Sequence, residues 1–179
     1  MKTSGKSQYS NPKIRMIDAK YIYGLYKKYH VPRKVIEHMV KVAKLSEKLC
    51  DKFAKRGYKI NKNLVIEAAL LHDLVRVYGG EGHGEAAYKI LKNLNLKKVA
   101  ILVRQHAFKR VDDLKSWEEK ILYYADKRIE GTKKVWLRTR LRKIRKRALA
   151  AGVPLKKILS IEKKVFKLER EIKNALSGR

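Results

Sequence analysis

Three stretches of this sequence place metal-binding or proton-moving side chains where packing would favour apolar ones. His38 sits inside Val35-Ile36-Glu37-His38-Met39-Val40, the doublet His72-Asp73 follows Ala68-Ala69-Leu70-Leu71, and Asp126 follows Leu122-Tyr123-Tyr124-Ala125. A carboxylate buried alone at such a position is strongly destabilising unless it is paired or bound to a metal. A divalent cation satisfies all three stretches at once, because imidazole and carboxylate oxygen suit Fe, Mn, Co, Ni or Zn. The chain has five histidines, His30, His38, His72, His83 and His106. Any one of them alone reads more readily as a partly exposed or hydrogen-bonded structural histidine. The single cysteine, Cys50, excludes an intrachain disulfide and a thiolate zinc cage.

The elements that must position these side chains are helices. Apolar residues recur at helical spacing almost throughout, and no alternating strand pattern stands out. Asn11-Pro12 reads as the opening of a helix to about Tyr29, and Pro32 opens a second that ends before Gly57. Asn61 or Asn63 caps a third, which carries His72-Asp73 at its end. A flexible loop, Gly79-Gly80-Glu81-Gly82, precedes helices expected from His83 to Leu94 and from Leu96 to Phe108. Ser116-Trp117-Glu118-Glu119 is a capping box that opens the helix bearing Asp126. Two more helices are expected, from Thr132 to Ala151 and from Pro154 to Leu176, stopped by Gly152 and Gly178. The class is all-α, with seven to eight helices.

The order His38, His72-Asp73, Asp126 resembles the HD superfamily of metal-dependent phosphohydrolases. The resemblance is carried by Ala-Ala-Leu-Leu-His-Asp-Leu around the doublet and Glu-Glu-Lys-Ile-Leu-Tyr-Tyr-Ala-Asp-Lys around Asp126, and spans roughly His38 to Glu130. His83, in Gly-His-Gly-Glu-Ala-Ala-Tyr, and His106, in Val-Arg-Gln-His-Ala, look like the two additional histidines of the subset that binds two metals. The resemblance implies one cation held by His38, His72, Asp73 and Asp126. It implies a second held by His83 and His106, with Asp73 bridging the two. A metal-activated hydroxide attacking a phosphate ester or anhydride of a nucleotide-like substrate is the chemistry implied. Glu85 or Glu37 is placed to orient a ligand imidazole. The doublet is followed by Leu74-Val75-Arg76 where the family commonly has Ile-Gly-Lys; the cation is kept, and Arg76 lies one helical turn from Asp73, either to hold a phosphate or to form a surface ion pair. Lys127 is a second phosphate-binding candidate, while His30 has no counterpart and reads as structural.

The chain has 179 residues, 45% hydrophobic and 35% charged, enough for one compact domain with a real core. Lys and Arg number 46 against 17 acids, for a formal charge of +29, so an anionic partner or substrate is expected. Residues 1–34 hold nine basic residues against one acid, and 133–179 hold seventeen against three. The reading is therefore a basic segment and helix at 1–31, the phosphohydrolase domain at 32–131, and a basic helical pair at 132–179. Seven basic residues fall within Arg138–Arg147; Arg138, Arg142, Lys143, Arg145 and Lys146 stand out as polyanion contacts, to RNA or DNA. The alternative function is thus a nucleic-acid-binding protein on this scaffold with little turnover. Ile158, Val165 and Ile172, with Ile161, Leu168 and Ala175, form a two-heptad seam for a core-facing helix or a homodimer. No apolar run approaches the roughly 20 residues that span a bilayer, and no secretory signal is visible, so a cytoplasmic protein is expected.

Overall fold

The computed structural model describes residues 17–79 and 82–178. Asp18 caps α1 (Ala19–Lys28), its carboxylate accepting from the Lys20 amide. The helix therefore begins later than Asn11-Pro12 suggests, and those two residues lie outside the described part. Extended backbone at Pro32 starts α2 (Arg33–Ala54), and Gly57 turns the chain at φ +83° beyond its end. One face of α2 buries Met39, Val42, Ala43, Leu49, Cys50 and Phe53, and His38 lies on that face. Asn61 caps α3 (Lys62–Leu71) by accepting from the Leu64 amide at 3.1 Å. Phe53, Tyr58 and Trp117 pack ring against ring at centroid separations of 4.6 to 5.3 Å, tying the end of α2 to the later helices.

A one-turn helix, α4 (Arg76–Gly79), leads towards α5 (His83–Asn93) and α6 (Lys97–Gln105). The helix expected to reach Phe108 stops at Gln105 because Ala107 is extended, and a 3-10 segment, Phe108–Asp113, follows. Next comes α7 (Trp117–Lys127), opened by the expected capping box: Ser116 accepts from the Glu119 amide, and the Glu119 carboxylate accepts from the amides of Lys115 and Ser116.

A short antiparallel pair, β1 (Ile129–Glu130) and β2 (Lys133–Lys134), corrects the helix expected from Thr132. Gly131 sits at φ +55°, which reverses the chain in a way a helix cannot continue. After it α8 (Leu137–Ala150) and α9 (Leu155–Ser177) close the bundle. Apart from the two-residue pair, the described residues form an all-α bundle. The seam of α9 faces inward: Ile158, Val165, Leu168 and Ile172 are buried, and Ile161 and Ala175 are half-buried. No described helix is long and apolar enough to cross a membrane.

Burial also pushes the Cys50 thiol up to about 12, keeping it protonated. The reciprocal cap at Ser116 fixes the start of the helix that carries Asp126. Ser116→Ala is expected to lower stability by about 1 kcal/mol in urea unfolding; an unchanged midpoint would show that Glu119 alone closes this helix end.

Candidate metal centre

Four helix ends and one helix interior converge on one buried spot. His38 comes from the second turn of α2, while His72 and Asp73 follow the last residue of α3. His83 is the first residue of α5, His106 the C-cap of α6, and Asp126 lies in the last turn of α7. The packing of α2, α6 and α7 around α3, with α5 against α6, brings them together. His38, His72, Asp73, His106 and Asp126 are each at most 5% exposed.

Their arrangement divides into two groups that share Asp73. The donor atoms of His38, His72 and Asp73 lie within 4.8 Å of one another, and so do those of Asp73, His83 and His106. Asp73 Oδ2 faces the first group, 3.6 Å from His72 Nε2 and 3.8 Å from His38 Nε2. Its Oδ1 faces the second, 3.1 Å from His83 Nε2 and 3.7 Å from His106 Nε2. Asp126 Oδ1 joins the first group, 3.2 Å from His38 Nε2 and 3.6 Å from His72 Nε2. Nε2 of His83 and His106 are 3.1 Å apart.

Backbone carbonyls aim three of the rings. Nδ1 of His38 donates to Gly131 O at 2.9 Å, Nδ1 of His72 to Ala69 O at 2.8 Å, and Nδ1 of His106 to Val103 O. Since a carbonyl only accepts, the proton of each neutral ring sits on Nδ1, and the Nε2 lone pair points inward. This corrects the expected role of the glutamates: Glu37 pairs with Arg33 at 2.9 Å, and Glu85 with Arg104 at 2.7 Å and Arg110 at 3.5 Å. His72 Nε2 is fully buried and has no hydrogen-bond partner. An orphaned acceptor among imidazoles and carboxylates, with no thiolate nearby, fits a divalent cation of the Mn, Fe, Co, Ni or Zn type.

The HD domain model matches residues 35–130, more than half of the chain and all six of these side chains. The chain belongs to the HD domain family. This is a superfamily of metal-dependent phosphohydrolases whose members typically bind divalent metals. The chain is also 27% identical over 151 residues to the uncharacterised protein MJ0778 of Methanocaldococcus jannaschii, covering 75% of this chain and 89% of that one. No solved structure matches it significantly.

Within this HD domain the charges are tightly balanced. Burial works to raise the pKa of Asp73, but the neighbouring His72 charge, with His106 and His83 facing the carboxylate, holds it well below the usual carboxylate range. Asp126 is buried too, and the Lys127 ammonium with His38 and His72 facing it holds it well below that range as well. Burial opposes charge on His72, yet Asp73 and Asp126 outweigh it and raise its pKa; at His106 burial prevails and the pKa falls. Arg76 places Nη1 on Asp73 Oδ2 with its side chain 37% exposed, so it reaches from the centre to solvent. Lys127 is only 4% exposed, its ammonium on Asp126 Oδ2 and on His106 O at 2.9 Å. Its observed partners are thus inside the centre, not in solvent.

The expected polyanion contacts are divided. Arg138, Arg142 and Lys146 are exposed, whereas Lys143 lies 2.8 Å from Glu130 and Arg145 makes two bonds to Glu162 of α9. His30 is exposed just beyond α1 and is not among the side chains gathered at the centre. The carbonyls of Ala69, Val103 and Gly131 carry no side-chain signal and escape sequence reading. Gly84, in Gly-His-Gly, lies against the site: a Cβ there would stand 3.4 Å from His106 Cε1, at the edge of ordinary contact.

The shared carboxylate predicts a stoichiometry. By metal analysis after manganese loading, Asp73→Ala is expected to lose both cations and His83→Ala to keep one; equal retention in both variants would dismiss the bridge. Because the raised pKa of His72 makes a cation compete with a proton, manganese affinity should rise with pH through the ordinary histidine value of 6.5 and beyond. Titration calorimetry in buffers of different ionisation enthalpy would detect the released proton, and an affinity independent of pH would contradict it.

Proposed function

We propose that this HD protein is a two-cation phosphohydrolase acting on a phosphate ester or anhydride of a nucleotide-like substrate. The observation that carries the reading is the single carboxylate, Asp73, whose two oxygens face two separate pairs of imidazoles. On this reading His38, His72, Asp73 and Asp126 hold one cation, and Asp73, His83 and His106 hold the other. When bound, such cations acidify water and neutralise charge on phosphoryl oxygens. The net reaction joins the oxygen of water to phosphorus as the P–O bond to the leaving group breaks; the leaving oxygen departs with the electron pair and takes up a proton.

The chain's own residues supply positioning and charge. The three backbone carbonyls fix the rings so that little reorganisation is needed when ligand arrives. Lys127 keeps Asp126 anionic from within the protein. Arg76, tied to Asp73 by one nitrogen, presents the rest of its planar guanidinium at the exposed side, where it can grip a non-bridging phosphoryl oxygen. A cytoplasmic setting agrees with the single cysteine, Cys50, which is buried as a thiol.

The experiment is metal analysis joined to a screen of manganese-, cobalt- and nickel-loaded protein against nucleotides, dinucleoside polyphosphates and short oligonucleotides. Release of phosphate or nucleotide from one class is expected, and Asp73→Ala should lose metal and turnover together. A fully loaded protein that turns over none of them would end the hydrolase reading.

One observation favours contact with a polynucleotide as well. Arg138, Arg142 and Lys146 are four residues apart and exposed, so they share one outer face of α8. Replacing all three with Gln should weaken binding of single- or double-stranded oligonucleotides and flatten its salt dependence by about 0.9 in log K per log salt for each lost contact to duplex phosphate. Unchanged binding would make this face a solvated surface.

A further inference from the structure

Trp136 is the most exposed large apolar side chain among the described residues, at 77%. It stands between β2 and α8, immediately before Leu137. Packing gives no reason for an indole there, since an aromatic ring contributes to stability mainly when it leaves water. Its position is nevertheless held. Arg128 donates from Nε to the carbonyl of the preceding residue, Val135, at 2.8 Å, and its guanidinium lies over the indole, 5.8 Å from the ring centroid. Most of the remaining ring surface is open to solvent.

The indole borders an open groove of about 690 Å³ between the start of α8 and α9. Leu159 and Phe166 add apolar surface to the groove, and Arg138, Lys163 and Arg170 add charge. Two glutamates also line it, and both are engaged by the protein. Glu162 takes two bonds from Arg145, while Glu169 accepts from the Tyr124 hydroxyl at 3.0 Å and lies 3.2 Å from Lys173. The third acid of residues 133–179, Glu171, pairs with Lys120. Among the described residues no acid pairs with Arg138, Lys163 or Arg170, and all three are exposed. Lys163 and Arg170 lie two turns apart along α9, about 10.5 Å by helical rise. An aromatic plane with cations ranged beside it suits a single strand of nucleic acid, because an unpaired base stacks on the ring while neighbouring phosphates meet the cations. A duplex has its bases already stacked and gains nothing from the indole. A second copy of a chain of charge +29 is repelled.

We propose that the groove between α8 and α9 binds single-stranded nucleic acid, with one base stacked on Trp136 and adjacent phosphates on Arg138, Lys163 and Arg170. The inference deepens the polynucleotide contact read from α8, with which it shares Arg138, and makes no use of the two-cation reading. The shared chemistry is an unpaired base on a phosphodiester backbone, in RNA or in DNA.

The test follows indole emission of the full chain as short oligo(U) or oligo(dT) is added, with the affinity read from the anisotropy of the labelled strand. Stacking is expected to quench Trp136, while Trp117, packed on Phe53 and Tyr58, reports the fold. Binding of either strand supports the site, and the tighter one names the strand. Trp136→Leu, at an exposed position, should abolish the quench and weaken binding about tenfold, as the loss of one stacked base provides, without altering the salt dependence. Trp136→Phe should regain most of that affinity. Lys163→Gln and Arg170→Gln should keep the quench at saturation and flatten the salt dependence by about 0.7 in log K per log salt for each lost contact. Lys48→Gln, which removes one charge from α2, should change neither. Unaltered affinity in Trp136→Leu, or equal quenching by polyglutamate, which has no bases, would overturn the site. Arg142 and Lys146 lie outside the groove. If their replacement with Gln weakens binding and Trp136→Leu does not, the outer face of α8 holds the polynucleotide and the groove falls; the reverse result leaves the groove standing and the outer face a solvated surface.

Discussion

Asp73 is a carboxylate at 2% exposure with one oxygen turned to His38 and His72 and the other to His83 and His106. An anion in that position is tolerable only if every neighbouring element is held in place to answer it. The other features of the centre follow. Ring protons are drawn outward onto the carbonyls of Ala69, Val103 and Gly131, which leaves nitrogen lone pairs inward. Arg76 and Lys127 each face one of the two carboxylates, so the negative charge is balanced from two sides. The helix ends matter as much as the helices: α3, α5 and α6 all begin or stop beside Asp73, and a ligand at a helix end keeps its backbone neighbours free to take its second hydrogen bond.

The ligand set is legible in the sequence because a polar residue at the inner end of an apolar run must be paired or metal-bound to be stable there. His38, His72, Asp73 and Asp126 stand out by their settings, and His83 and His106 through the family pattern; the structure gathers all six. What orients the rings is not legible, since a main-chain carbonyl leaves no mark on residue type. Glu37 and Glu85 have the right chemistry for that duty, but each has a closer arginine on the surface. Helix ends are harder to read than helix cores. The 3-10 segment after Ala107 and the turn at Gly131 depend on one or two backbone angles, which neighbouring apolar spacing does not determine.

The same limit applies to the charge of α8. Seven basic residues fall in ten positions, and their order in sequence does not tell which of them the bundle pairs with acids. Packing of the Leu137, Leu141 and Ala148 stripe decides it, placing Arg145 towards α9 and Lys143 towards Glu130. One helix therefore braces the bundle at two places, through Glu162 of α9 and through Glu130 beside the Gly131 turn.

The 3.2 Å approach of His38 to Asp126 joins residues 88 positions apart, and the hydrogen bond between His38 and Gly131 joins residues 93 apart. The second donor group is more local, since His83 and His106 are separated by 23. Closing the first group therefore requires the long-range docking of α2 against α7, whereas the second can gather over a much shorter loop. A cation held by either group binds the finished topology far better than the open chain, so its binding free energy is added to that of folding. The centre is then a clasp on the bundle.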